Sequence, residues 1–216
     1  MVSARTYGGR VGFYDDKILP RLVESACSMP GLDKLRRRAA APLSGAIIEV
    51  GFGSGLNVGL YPPAVTAVTA VEPADLGWER AQERVARSPI PITRGGLDGQ
   101  RLPFPDNTFD GALSTFTLCT IPDAAAALAE LRRVLKPGAR LAFLEHGLAP
   151  DRGVQRFQRL LDPIERAVAG GCELTRTIPE DLRAAGFEID ELDQFYARVT
   201  PKPWGAFSLG CAVNPA

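Results

Sequence analysis

Ala46-Ile47-Ile48-Glu49-Val50-Gly51-Phe52-Gly53-Ser54-Gly55-Leu56-Asn57 decides how this chain is read. A short apolar run leads into three alternate glycines. A further apolar stretch, Leu56 to Tyr61, follows. The order predicts strand, glycine-rich turn, helix, a place where backbone can approach a ligand closely. A dinucleotide site wants its third glycine three positions after the second, but here Leu56 stands there and the third glycine is Gly55. The Gly-Lys-Ser/Thr of a phosphate-binding P-loop is absent. A carboxylate at Glu49 would repel phosphate and suits a cation or amine. A tight turn that simply needs glycines is the plainer alternative.

Working outward, strands and helices alternate. Ala46–Val50 and Thr66–Val71 read as strands, the second rich in β-branched residues. Asp75–Arg87 reads as a helix with Asp75 as its cap. Ile90–Arg94, Phe109–Thr115 and Arg140–Leu144 are three more strands. A helix over Asp123–Leu135 closes at Lys136-Pro137-Gly138. Repeated β-α units imply a parallel sheet covered on both faces. Before them, Ile18, Leu19, Leu22, Val23 and Ala26 form a helical stripe stopped by Pro30-Gly31, and Leu32–Ala40 predicts a short helix. On the latter, Arg36 to Arg38 read most simply as a solvated face. After residue 150, helices are expected near 153–169 and 179–185. Phe187–Val199 and Trp204–Val213 then form an antiparallel hairpin at the sheet edge.

The 216 residues, 45% of them hydrophobic, suit one domain. Lys+Arg and Asp+Glu both number 25, so no basic field is present to hold nucleic acid. Cys27, Cys119, Cys172 and Cys211 lie far apart, and there is one histidine, so no metal site is expected. Reduced thiols and a cytoplasmic location are the default. Met1 to Arg10 shows no signal or anchor pattern, and no apolar run approaches the ~20 residues of a membrane span. Monomer and homodimer are equally compatible with these features.

Two more features bear on the ligand. Glu72 ends the second strand, at the carboxyl edge of the sheet beside the glycine turn. There it can accept both hydroxyls of a ribose. Further on runs Gly95-Gly96-Leu97-Asp98-Gly99-Gln100-Arg101-Leu102-Pro103-Phe104-Pro105-Asp106-Asn107-Thr108-Phe109-Asp110. With this stretch the chain resembles the class I S-adenosylmethionine-dependent methyltransferases, in the subgroup marked by Glu-Val-Gly-x-Gly-x-Gly and Leu-Pro-Phe-Pro-Asp-x-x-Phe-Asp. The resemblance covers about 44–147.

It implies an α/β fold: a Rossmann-like seven-stranded, mostly parallel sheet with an antiparallel C-terminal hairpin and helices on both faces. It implies a helical cap over 1–43, a cofactor core over 44–147, and acceptor-side helices and hairpin over 148–216. It implies S-adenosyl-L-methionine as cofactor, released as S-adenosyl-L-homocysteine. In that family the residue at Asp98 contacts the adenine amino group, with Gly99 offering its N–H; a turn-forming Asp98 is the alternative. The cofactor site then comprises Glu49, Gly51, Gly53, Gly55, Asn57, Glu72, Pro73, Asp98 and Gly99. Ser114, Thr115 and Phe116 border the sulfonium, unless Thr115 and Phe116 are ordinary core or turn residues. Tyr14 reaches in from the N-terminal helix. The match is coherent, because the cofactor is cationic and carries no phosphate.

The acceptor is expected at the carboxyl ends of strands four and five. His146 stands there and could take a proton from an acceptor, or be structural. Cys119 reads as a small apolar wall residue. Tyr61-Pro62-Pro63, Thr117-Leu118-Cys119-Thr120-Ile121, Phe143-Leu144-Glu145-His146, Leu161-Asp162-Pro163 and Gly171-Cys172-Glu173-Leu174-Thr175-Arg176 look like the alkyl-thiol methyltransferase branch. Its animal members associate with membranes through an N-terminal hydrophobic segment that this sequence does not show. That resemblance implies a small apolar thiol as acceptor. Methylation of oxygen, nitrogen or carbon in a natural product, lipid or quinone is the competing reading, and a non-enzymatic cofactor-binding module a third. Phe157, Leu160, Leu161, Ile164 and Val168 form one helical face, expected to pack on the sheet or to act as a lid. Arg176 is expected in a surface salt bridge, or pinning an acidic acceptor.

Overall fold

Successive residues on the central strands face opposite layers of helix, which is why near-continuous apolar runs make these strands. The computed structural model describes residues 24–198 and 200–215. Its strands are β1 (Gly45–Val50), β2 (Val65–Val71), β3 (Ile92–Gly96), β4 (Phe109–Thr115), β5 (Leu135–His146), β6 (Glu188–Tyr196) and β7 (Ala206–Val213). They form one sheet in the order β3-β2-β1-β4-β5-β7-β6. The first five pair in parallel; β7 runs antiparallel to β5 and β6. The helices are α1 (Leu32–Ala40), α2 (Asp75–Ala86), α3 (Ala124–Val134), α4 (Arg152–Val168), α5 (Ile178–Ala184) and α6 (Lys202–Gly205).

Ile48, Ala112, Leu141 and Phe143 face one layer with Leu128 and Leu131 of α3 and Leu182 of α5. Their neighbours Ile47, Leu113, Ala142 and Leu144 face the other, with Leu32 and Ala39 of α1 and Ala81 of α2. These residues are almost wholly buried, and each large aliphatic side chain contributes about 1.5–3 kcal/mol through burial. The expected Rossmann-like α/β sheet, with its antiparallel C-terminal hairpin and helices on both faces, is what the structure shows.

Four local expectations need correction. The segment after the glycine turn is not a helix. Residues 53–60 are successive turns, because Gly53, Gly55 and Gly59 hold φ of 57, 75 and 82°, outside the right-handed helical region. Asp75 does not cap α2. The cap position is Ala74, and Asp75 instead pairs with Arg94 at 2.7 Å. Lys136-Pro137-Gly138 does not separate α3 from a strand but lies within β5.

The fourth correction concerns α4, whose apolar face does not pack on the sheet. Phe157, Leu160 and Ile164 are 62, 71 and 61% exposed, while Gln158 and Asp162 are buried. Hydrogen bonds account for the inversion. Gln158 accepts from Ala149 N (2.9 Å) and donates to the carbonyls of Gly147 and Pro203 (both 3.0 Å). Asp162 accepts from Arg166 Nε (2.7 Å) and Thr175 N (3.2 Å). A buried polar group with its partners made is tolerated; the same group unpaired is not. No helix among the described residues is long and apolar enough to cross a membrane. Tyr14 lies outside the described residues.

Candidate functional site

β1 ends by handing its chain to the glycine turn, which is pinned to β2. Gly51 N and Phe52 N both donate to the Val71 carbonyl, at 2.9 and 3.2 Å. Gly51 has φ 73°, and a Cβ there would run into the Thr117 side chain. Gly53 has φ 57°, and its missing Cβ would point into open space, the nearest atom being Gly51 O at 4.0 Å. Glu72, at the end of β2, is only 6% exposed. Its Oε2 accepts from Gly53 N (2.6 Å) and its Oε1 from Ala74 N (2.8 Å). Burial pushes its pKa up, and these two N–H groups pull it back. Arg94 donates to the Glu72 carbonyl (2.7 and 3.0 Å) and weakly to that of exposed Pro73 (3.4 Å).

Glu49 sits one layer deeper, fully enclosed. Asn57 Nδ2 donates to its Oε1 (2.8 Å) and Tyr61 Oη to its Oε2 (2.6 Å). Arg36 Nη1 donates to Asn57 Oδ1 (3.1 Å) and to Thr115 Oγ1 (2.8 Å), and Nη2 to the Cys27 carbonyl (3.2 Å). Arg36 is 3% exposed, so its place on a solvated helix face is a misreading. Burial pushes the Glu49 pKa up to about 7, against the hydrogen bonds of Tyr61 and Asn57 and the charge of Arg36. The Arg36 guanidinium also lies 5.2 Å over the Phe116 ring. Phe116 has φ 55°, a left-handed conformation costing a side-chain-bearing residue about 1–2 kcal/mol.

On the other flank, Asp98 Oδ1 accepts from Gln100 N (2.8 Å) and Gln100 Nε2 (3.1 Å), a turn-forming role. Asp98 also borders an open cleft with Leu97, Leu102 and Phe104. Gly99 is buried, and a Cβ there would press on Val50.

The carboxyl ends of β4 and β5 carry the rest. The Ser114 hydroxyl donates to Glu145 Oε1 (2.7 Å). Glu145 also accepts from Thr117 N (3.0 Å to Oε2) and Cys119 N (3.3 Å). Burial pushes its pKa up against these bonds. Its carboxylate is thus occupied in shaping the loop after β4. Arg176 pairs with Glu173 (2.8 Å), but the pair is largely enclosed rather than a surface bridge. His146, Cys119 and Cys172 meet at this edge: Cys172 Sγ is 3.9 Å from Cys119 Sγ and 3.6 Å from His146 Nδ1. The contact between the thiols pushes Cys119 up and Cys172 down to about 6, with His146 lowering Cys172 further against burial. Phe207 stacks edge-on against both Phe116 (5.2 Å) and His146 (6.3 Å), giving this rim an aromatic wall.

The structure therefore brings Glu49, Gly51, Gly53, Gly55, Asn57, Glu72 and Thr115 around one turn. Arg36 and Tyr61 join that turn without having been placed there by sequence reasoning, and Cys172 likewise joins Cys119 and His146 at the neighbouring edge. A lone arginine among three on a helix carried no signal, while Tyr61 and Cys172 stood within quoted motifs without an assigned task.

The family described as Methyltransferase domain matches residues 48–143. Thiol S-methyltransferase TMT1B of Rattus norvegicus is 33% identical over 175 residues, covering 78% of this chain and 70% of that protein. Demethylmenaquinone methyltransferase of Streptomyces griseus is 34% identical over 164 residues, covering 71% and 69%. In fold, the chain is similar to Haemonchus contortus phosphoethanolamine N-methyltransferase 2, solved in complex with S-adenosyl-L-methionine. The TM-score is 0.69 at 16% identity, over 96% of this chain and 61% of that one.

Proposed function

The chain belongs to the class I S-adenosylmethionine-dependent methyltransferases, and from that premise we propose that its acceptor is a small, apolar thiol. S-adenosyl-L-methionine is the methyl donor and S-adenosyl-L-homocysteine the product. The turn suits that cofactor. Gly53 leaves open space where a ligand must approach the backbone, and buried Glu72 stands within hydrogen-bond reach of the same N–H. When bound, the cofactor supplies an electrophilic methyl group on a cationic sulfur.

The protein's own residues then have separate tasks. Gly51, Gly53 and Gly55 shape the cradle. Glu72 and Asp98 orient the nucleoside, with Gly99 beside them and Pro73 at the exposed end of β2. The Glu49–Asn57–Thr115–Arg36 network holds β1, β4 and α1 in register under the methionine moiety. Phe116 and Phe207 wall off water, so that positioning and desolvation do most of the catalytic work.

One observation carries the thiol reading. Glu145, the carboxylate at the end of β5, is consumed by Ser114, Thr117 and Cys119, and His146 Nδ1 faces Cys172. Of these groups only the buried His146 Nε2 is left without a partner, so removing a proton from an alcohol would rest on that one nitrogen, whereas a thiol ionises unaided near pKa ~8.5. The resemblance to the rat thiol methyltransferase supports the same choice. The similarity to the Streptomyces quinone enzyme favours a quinol as second reading.

The test is a panel of thiols, phenols, amines and quinols with methyl-labelled donor. Labelled thioether from small apolar thiols is expected. Labelled quinone or ether with no thioether would overturn the assignment.

A further inference from the structure

Cys119, His146 and Cys172 stand 27 and 26 positions apart along the chain, counted from their residue numbers, yet their ligand atoms all lie within 4.8 Å of one another. Cys119 follows β4, His146 ends β5, and Cys172 follows α4. The triangle has measurable edges: 3.9 Å between the two sulfurs and 3.6 Å from Cys172 Sγ to His146 Nδ1. A tetrahedral zinc ion with Zn–S about 2.3 Å and Zn–N about 2.05 Å requires edges of about 3.8 and 3.6 Å. Two of the three edges thus stand close to the spacing that such an ion imposes, and the third, Cys119 to His146, is within 4.8 Å.

The frame behind them is built from elsewhere. Cys119 N donates to Glu145, and the Cys119 carbonyl accepts from Glu173 N (2.8 Å), tying the Cys172 segment to the β4 loop. His146 is 6% exposed, and its Nε2 is buried without a hydrogen-bond partner. The imidazole is thus turned with Nδ1 toward the Cys172 thiol.

We propose that Cys119, His146 and Cys172 bind one divalent ion of the zinc class, and that its fourth position takes the sulfur of the methyl acceptor. Two thiolates and an imidazole are a borderline-soft ligand set that selects zinc over magnesium or calcium. Three protein ligands with one open position is the arrangement of catalytic rather than structural sites. A thiol that coordinates such an ion loses its proton outright, here to solvent. The thiolate lone pair then forms the new S–CH3 bond as the donor's S–CH3 bond breaks, its electron pair staying on the donor sulfur and neutralising it. No protein base is required, which fits the engagement of Glu145. The acceptor half of this inference rests on the thiol reading above; the metal half stands on the triangle alone.

The full chain, purified under reducing conditions and titrated with zinc and cobalt(II), provides the test. One equivalent should bind, and cobalt should show thiolate charge-transfer absorption with tetrahedral ligand-field bands. Cys119→Ser, Cys172→Ser and His146→Ala should each weaken binding tenfold or more. Their unfolding midpoints and cofactor affinity, read in parallel, establish that they are folded. A small thiol should shift the cobalt bands. Absence of thiolate–cobalt absorption in the wild-type chain overturns the metal site, and so does a Cys119–Cys172 disulfide that persists in reductant. Cobalt bands that ignore every thiol overturn the acceptor's place on the ion. Thioether formation measured in metal-free protein keeps the two readings separable: full activity there overturns the acceptor's place on the ion and leaves the thiol acceptor standing.

Discussion

Arg36 Nη1 and Thr115 Oγ1 lie 2.8 Å apart, joining α1 to the end of β4 across 79 residues of chain. The same nitrogen bonds Asn57, which bonds Glu49. Removing Arg36 leaves the buried acceptors of Asn57, Thr115 and Cys27 unpaired, a loss of about 1–3 kcal/mol. Arg36→Ala should therefore lower unfolding free energy by that order. Arg38→Ala removes only an exposed pair with Asp193 and should cost no more than about 1 kcal/mol. Urea unfolding of both variants decides: equal, small losses would return Arg36 to the surface role its sequence suggests.

Glu72 accepts from Gly53 N and Ala74 N while facing the cradle. Glu72→Ala should weaken S-adenosylmethionine binding tenfold or more, about 1.4 kcal/mol. S-adenosylhomocysteine shares the ribose and should lose affinity to the same extent. Calorimetry with both ligands checks this, and an unchanged affinity rejects Glu72 as a nucleoside ligand.

The legible parts of this protein are those whose signal is local. β4 over Phe109–Thr115 and α1 over Leu32–Ala40 are found at their expected bounds, because apolar runs and breakers mark them within a few residues. The glycine turn and Glu72 lie side by side, as their order along β1 and β2 leads one to expect. The misreadings involve partners far away in sequence. Arg36 is buried only because Thr115 and Asn57 receive it. Gln158 and Asp162 face inward only because Gly147, Pro203 and Thr175 offer bonds there. The apolar stretch after Gly55 predicted helix on propensity, and positive φ at three glycines overrode it. Cys119, His146 and Cys172 show no motif spacing, and only the sheet's carboxyl edge brings them together.

Glu49 sets a pH dependence. Burial raises its pKa from the usual 4.5 to about 7. Between those values the folded chain keeps a proton that the unfolded chain has released. Its contribution is therefore full below about pH 4.5 and is lost as pH rises through about 7, with a size on the order of 3 kcal/mol. Glu49→Gln has no such titration. The wild-type minus variant difference in unfolding free energy should fall across this window and level off above it. Urea unfolding from pH 4.5 to 8 measures it, and a pH-independent difference would contradict the assignment.

Gly51 separates two physical effects at one position. Its φ of 73° disfavours any residue with a Cβ, at about 1–2 kcal/mol. Its missing Cβ also makes room for the Thr117 side chain, whose N–H is held by Glu145 and which therefore cannot move aside freely. Gly51→Ala should thus destabilise the fold by more than the backbone term alone and should abolish measurable cofactor binding. Pairing it with Thr117→Ala removes Oγ1 and Cγ2, two of the three atoms that the new methyl would strike. The double variant should recover only part of the steric cost, because Thr117 Cβ at 2.6 Å remains, and should retain the conformational part, ending more than about 1–2 kcal/mol below Thr117→Ala alone. A double-mutant cycle in urea reads the two terms separately. Strict additivity would show that Gly51 is needed only for its backbone angle, and that the close approach of β1 to the loop after β4 does not constrain the cradle.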